Sequence, residues 1–299
     1  MARTLTSAQI IERSIIKKYR SNLWNKFVMG IKDYGLICQG DRLAVAVSGG
    51  QSSAVMAKCI QHLRKYSDVK FETVYITLDP GFSEDKLSKL ANDLETLNLN
   101  SEIFKADCDI FGKCKSSENV CESYAAAVTE ELLKKARSLG CNKLALGNNF
   151  DDAIEYIFTN MVYAGKVESM LPKVVAESCP EVEIIRPMYM VKDEYISDFQ
   201  RYNSLSLTES IYEGTPLEDD TRVLEMFRQK SEVKSLMNRF RNTNENIENN
   251  IFKSVYNVNL RTIVSYSSQG KKYSFLDNYR LNGTAGTLDE TGGEYEIYY

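Results

Sequence analysis

Leu43-Ala44-Val45-Ala46-Val47-Ser48-Gly49-Gly50-Gln51-Ser52-Ser53-Ala54-Val55-Met56-Ala57-Lys58-Cys59-Ile60 changes hydrophobic period at its centre, and its reading decides the fold. Ala44 to Val47 is an unbroken apolar run of the kind a buried parallel strand needs. Val55, Met56, Cys59, Ile60 and Leu63 then recur at helical spacing. The loop between them, Ser48 to Ser53, holds two glycines that let a ligand approach the backbone and three hydroxyls beside helix-terminal amides. Such a loop is either a plain strand-to-helix turn or a cradle for phosphate, which the N-terminal partial charge of a helix favours. It lacks the lysine and spacing of the Walker loop, and it is not the G-x-G-x-x-G dinucleotide fingerprint.

Working outward, Ser7 to Tyr34 carries a stripe of Ile10, Ile11, Ile15, Ile16, Tyr19, Leu23, Phe27, Val28 and Ile31, which predicts one helix or two. Arg13, Lys17, Lys18, Arg20 and Lys26 occupy its other face, as a solvated surface or an RNA contact. Phe71 to Leu78 reads as a second strand ending at Asp79-Pro80-Gly81, where a carboxylate sits at a strand's carboxyl end or simply makes a turn. Ser83 caps a helix to Leu97, Leu99 to Ile103 is a third strand, Thr129 to Leu139 a helix, and Lys143 to Leu146 the next strand. This alternation predicts an α/β fold with a doubly wound parallel sheet.

Gly147-Asn148-Asn149-Phe150-Asp151-Asp152 then opens another helix. Its paired carboxylates suit either the helix dipole or a Mg²⁺ ion, with Asp151 and Asp152 as ligands. Further on, Ile184 to Met188 reads as a short strand, Asp193 to Tyr202 as a helix and Val223 to Arg241 as a longer one. From Asn242 no period is evident, and a weakly ordered tail is expected after about Gly283. The expected organisation is a helical segment over residues 1–40, a nucleotide domain over 41–215 and a C-terminal extension over 216–299.

With 299 residues, 43% of them hydrophobic, the chain can bury a sizeable core, and its net charge of −4 makes a nucleic-acid partner depend on a local basic face. Met1 to Leu23 is too polar for a signal peptide and no apolar run reaches membrane-spanning length, so a cytoplasmic protein without membrane attachment is expected. Its seven cysteines form no even, closely spaced framework, so free thiols are expected.

Ser48-Gly49-Gly50-Gln51-Ser52-Ser53 resembles the S-G-G-x-D-S loop of PP-loop ATP pyrophosphatases, with Ser52 in the aspartate position. The resemblance narrows to the tRNA 2-thiocytidine synthetase group through Leu78-Asp79-Pro80-Gly81, Leu139 to Gly147, Asp151-Asp152 with Glu155, Tyr163-Ala164-Gly165-Lys166, Met170-Leu171-Pro172-Lys173 and Ile185-Arg186-Pro187. It implies binding of ATP and Mg²⁺, adenylation of a cytidine C2 oxygen in the tRNA anticodon loop, and displacement of AMP by sulfur. Ala46, Ser48, Gly49, Gly50, Gln51, Ser52, Ser53, Asp79 and Gly147 are then the nucleotide-binding residues, and Asp151 and Cys121 the catalytic ones. Lys166, Lys173 and Arg186 become available to phosphates or act as ordinary surface charges.

Members of that group hold an iron–sulfur cluster through a C-x-x-C pair and a later cysteine. Here Cys121 stands at the first position, Tyr124 at the second, and Thr208 to Tyr212 contains no thiol. The G-H-H of the family's ATP site is Gly147-Asn148-Asn149, and His62, the one histidine, falls on the helix after the phosphate loop, where a surface role is expected. Cys108, Cys114 and Cys121, spaced C-x5-C-x6-C, are either three unlinked thiols or substitute ligands in a spacing that matches no metal site. The missing thiols argue against an iron–sulfur cluster, so the chain is expected to bind ATP and tRNA as a homodimer and to adenylate, with sulfur transfer only if another protein supplies the sulfur. The alternative is a catalytically silent paralogue that pairs with an intact homologue.

Overall fold

The computed structural model describes residues 6–115, 120–207, 221–268 and 270–278. The chain begins with α1 (Ser7–Lys17), capped by a reciprocal box between Thr6 and Gln9, a π-helical turn (Arg20–Trp24) and α2 (Asn25–Asp33). Ile11, Ile15, Tyr19, Leu23, Phe27 and Ile31 are all buried in one core although each lies four residues beyond the last. In a straight α-helix that spacing drifts around the cylinder by about 40° per step. The wide turn, where the amides of Tyr19 and Trp24 reach back five residues to Ser14 and Tyr19, takes up the drift.

There follow β1 (Arg42–Ala46), α3 (Gln51–Tyr66), β2 (Glu72–Asp79), α4 (Glu84–Thr96), β3 (Ser101–Lys105), α5 (Ile110–Lys115), α6 (Val120–Ser138), β4 (Lys143–Ala145) and α7 (Phe150–Tyr163). Then come β5 (Lys173–Val175), β6 (Glu183–Ile185), α8 (Asp193–Tyr202), α9 (Thr221–Thr243) and α10 (Ile247–Ser254). The six-stranded sheet runs β3-β2-β1-β4-β6-β5, with every pairing parallel except β5 against β6. One face is covered by α1 to α4 and α8, which share a core with Val45, Val47 and Ile185. The other is covered by α5 and α6 against Ala44, Ala46, Ile76 and Leu144.

Two compact units emerge, Met1–Phe252 and Lys253–Tyr299. The first takes in α9, whose Val233 and Met237 are buried with Phe150, Ile154 and Phe252. The second contains an antiparallel hairpin, β7 (Ser265–Ser268) and β8 (Lys271–Ser274), with Tyr266 stacked on Tyr273 at 5.0 Å between ring centres.

After Asn242, where the sequence shows no period, the chain forms α10 and this hairpin, both too short to declare one. Two expectations are corrected. The helix expected from Thr129 starts at Val120, because its first turns pack sideways through Tyr124 rather than along a long apolar stripe. His62 is buried, not superficial, with Nδ1 2.7 Å from a Glu12 carboxylate oxygen and its ring edge-on to Trp24. Residues 208–212 and those after Gly283 lie outside the described residues.

Candidate nucleotide site

The strand order reverses at β1. From it the chain moves outward to β2 and β3, then returns across the sheet to β4 on the other side. In open parallel sheets the crevice at the carboxyl ends of such neighbours is where ligands bind. The two loops singled out from the sequence both lie there, Ser48–Ser53 after β1 and Gly147–Asp152 after β4.

The first loop keeps a place for an anion. Gly49 adopts φ +85°, a left-handed conformation that bends the chain between strand and helix. Gly50 then caps α3 with no side-chain hydrogen bond, so the first-turn amides of Gln51, Ser52 and Ser53 have no residue-supplied acceptor at the cap. The loop is braced from within: Ser53 Oγ donates to the Gly50 carbonyl at 2.9 Å and accepts from the Ser48 amide at 3.2 Å. Ser52 faces the second loop, its hydroxyl donating a short hydrogen bond to the Gly147 carbonyl.

Gly147 is the point of closest approach. A Cβ built there would lie 2.8 Å from both Cα and N of Ser53, so only glycine lets the two backbones meet. On the other side of the phosphate loop, Ala46, Val47, Ser48, Ile76, Leu78, Pro80 and Phe82 border an apolar crevice with Tyr124 and Val128 of α6. Asp79 shapes its rim. Its buried carboxylate accepts the Gly81 and Phe82 amides at 2.8 Å each, so it turns the chain after β2.

The second loop satisfies itself. Asn149 and Asp152 form a reciprocal capping box, with the Asn149 amide 2.9 Å from Asp152 Oδ2 and the Asp152 amide 3.1 Å from Asn149 Oδ1. Asp151 points elsewhere, accepting the Asp193 amide at 2.6 Å and Arg241 Nη2 at 2.9 Å. Burial pushes the Asp151 carboxyl above its ordinary value, although the Asp193 amide pulls the other way. Arg241 also pairs with Glu248, which accepts Lys192 Nζ at 2.9 Å. Burial would raise the Glu248 carboxyl, but the hydrogen bonds from Arg241 and Lys192 outweigh it and hold the group below its usual range.

Asp193, Lys234 and Arg241 were not signalled by sequence pattern. They line one polar pocket with Asp151 and Glu155, and Asp193 Oδ1 joins the loops by accepting Gln51 Nε2 at 3.5 Å and Asn149 Nδ2 at 3.3 Å. Because Asp151 and Asp152 serve different partners, they do not fit a Mg²⁺ ion held by both carboxylates. Among the described residues no group of three or more His, Cys, Asp or Glu side chains could hold a metal. Cys121 lies on α6, but its side chain is outside the described residues. Tyr124, one turn later, is buried against Phe111, and Cys108 points its thiol at Glu131, 3.6 Å away; this is not a set of cluster ligands. Lys173 stands on the edge strand 3.5 Å from the Gly35 carbonyl, Arg186 donates to the Leu171 carbonyl, and Lys166 is exposed. None of these three is a neighbour of the phosphate loop by its described contacts.

A family profile described as the PP-loop domain matches residues 20–210, and the chain belongs to that family. Among its relatives, the tRNA-cytidine(32) 2-sulfurtransferase of Syntrophotalea carbinolica is 33% identical over 177 residues, 58% of this chain and 68% of the relative. The enzyme of the same name from Geobacter sulfurreducens is 35% identical over 182 residues, with the same shares of the two chains. In fold, the chain is similar to the U34-tRNA thiolase of Methanococcus maripaludis, solved with its 4Fe–4S cluster, at a TM-score of 0.57 and 16% identity, covering 83% of this chain and 81% of that one. No helix among the described residues is long and apolar enough to cross a membrane.

Proposed function

We propose that this protein binds ATP at the ends of β1 and β4 and uses it to join AMP to the C2 oxygen of a cytidine in tRNA, preparing that carbon for sulfur. The observation that carries the reading is the uncapped N-terminus of α3 beside an apolar crevice, with Gly147 holding the second loop against it. The amides of Gln51, Ser52 and Ser53 and the hydroxyl of Ser48 suit the phosphates, and the crevice from Ala46 to Phe82 suits the adenine ring. Relatives named as tRNA-cytidine 2-sulfurtransferases support the substrate class.

The chemistry follows from the leaving group. A pyrimidine carbonyl oxygen departs poorly until it is esterified. In the first step the C2 oxygen attacks the α-phosphorus, the bond to the bridging oxygen breaks and pyrophosphate leaves. Sulfide-level sulfur, as hydrosulfide from a donor, then adds at C2, its proton passes to solvent, and AMP departs with the original oxygen. Helix-terminal amides directed at the phosphates favour the charge that develops on them. Mg²⁺ would reach the site bound mainly to the nucleotide's own phosphates. With Tyr124 in place of a second thiol, we assign sulfur delivery to a separate donor protein, which meets the tRNA in the cytoplasm. No observation favours the catalytically silent alternative.

The test is pyrophosphate release from ATP by the purified protein under anaerobic conditions, with and without bulk tRNA. The expected result is release that tRNA stimulates. ATP binding with no release in either case would overturn adenylation while leaving the nucleotide site standing.

A further inference from the structure

We infer that the solvent face of α1 and the following π turn is a docking surface for the phosphate backbone of RNA; this rests on the tRNA reading above and gives the substrate a second point of attachment. Residues 7–33 carry six cations, Arg13, Lys17, Lys18, Arg20, Lys26 and Lys32, against two carboxylates, Glu12 and Asp33. Glu12 is turned inward, bonded to buried His62, and does not neutralise the outer face. Arg13, Lys17, Lys18, Arg20 and Lys26 are all exposed, and none is ion-paired among the described residues. Elsewhere some cations are paired, Arg42 with Glu72, Lys134 with Glu130, Lys135 with Glu102 and Arg228 with Glu232, and others such as Lys105 and Lys166 have no ion pair among the described residues. The stretch from Arg13 to Lys26 differs in gathering five such cations within fourteen residues. A chain with more acids than bases that leaves one helix face unneutralised presents a local positive field.

Arg13 and Lys17 are one helical turn apart, and Arg20 follows at the start of the π turn, so they form a row. Beside the row, Lys18 Nζ lies 3.5 Å from the ring centre of half-exposed Tyr202 at the end of α8. The far end of α8 is Asp193, in contact with Gln51 and Asn149. Ten residues of helix therefore join the basic face to the nucleotide site, roughly 14 Å along the axis. A cationic helix can also serve a membrane surface, but that mode needs an apolar face to insert. Here Ile11, Ile15, Tyr19 and Leu23 are already committed to the core. The family match begins at residue 20, so α1 lies outside it.

The test compares the full-length protein with its Lys17→Gln/Arg20→Gln variant in direct binding of bulk tRNA at several salt concentrations, with ATP binding measured alongside. We expect tRNA affinity to fall about tenfold, with a salt dependence shallower by roughly one to two units of log K against log salt, as phosphate contacts are lost. ATP affinity should stay unchanged, which also certifies the fold. An unaltered tRNA affinity and salt slope would overturn the surface while leaving the tRNA reading intact. No tRNA binding by the unaltered protein would overturn both. Loss of binding to phosphatidylglycerol vesicles with tRNA binding preserved would assign the face to a membrane instead.

Discussion

The loops after β1 and β4 begin alike, each a short apolar strand running through small or polar residues into a helix. They end in opposite states. At α3 the cap is Gly50 and brings no acceptor, whereas at α7 Asn149 and Asp152 close on each other and Asp151 is held by Asp193 and Arg241. A helix N-terminus is available to a phosphate only where the chain has not already filled it. The difference assigns nucleotide contact to Ser48–Ser53 and makes the second loop a wall and brace.

The strongest way to break that division of labour is at the contact between the loops. Gly147→Ala places a methyl carbon 2.8 Å from the Ser53 backbone, which must move. Overpacking of this kind costs about 1–3 kcal/mol, and the displaced atoms belong to the proposed phosphate cradle. Calorimetry should find ATP binding weakened by at least tenfold with the fold retained. Unchanged affinity would mean that phosphate does not use the first turn of α3.

The next test sharpens the role of Ser52. In the family loop an aspartate stands there, and restoring it looks like a repair. In this chain, however, the Ser52 hydroxyl donates to the Gly147 carbonyl, and an ionised aspartate is an acceptor only. Ser52→Asp should therefore set a carboxylate against a carbonyl and loosen the loops, lowering ATP affinity several-fold. A gain in affinity or in pyrophosphate release would show that the loop contact is dispensable and that the serine is a loss.

The open loop was legible in the sequence and the closed one only in part. Ser48 to Ser53 declares itself because strand, turn and helix are contiguous, so every local signal acts within one stretch. The helix Asp193–Tyr202 and the Ser83 cap were readable for the same reason. Arg241, by contrast, reaches Asp151 across 90 residues, and nothing local to α9 marks it. The antiparallel strand Lys173–Val175 is three residues long and alternates only weakly in burial, which leaves no period to find. The π turn had a signal that helical reasoning passes over. Six apolar residues at a strict spacing of four cannot share one side of a straight α-helix, yet all are buried together.

The smallest effect lies in the acid limb of stability. Glu248 titrates below its ordinary value in the folded protein because Arg241 and Lys192 hold its charged form. A depressed carboxyl contributes stability that is fully present above its unfolded value, about 4.3, and lost as pH falls through the folded one. Asp151 works in reverse. Burial raises it, so its charge opposes folding above that raised value and the opposition is relieved on acidification. Glu248→Gln removes the first contribution and keeps the second, and it leaves Arg241 with Asp151 as its remaining carboxylate partner. Thermal unfolding should then decline less steeply from pH 5 downwards, against a modest loss of stability near pH 7, on the order of 1 kcal/mol or more for a broken buried pair. An acid limb identical to that of the unaltered protein would mean that Arg241 does not stand over the second loop in solution, and the closed state of Asp151 would have to be given up.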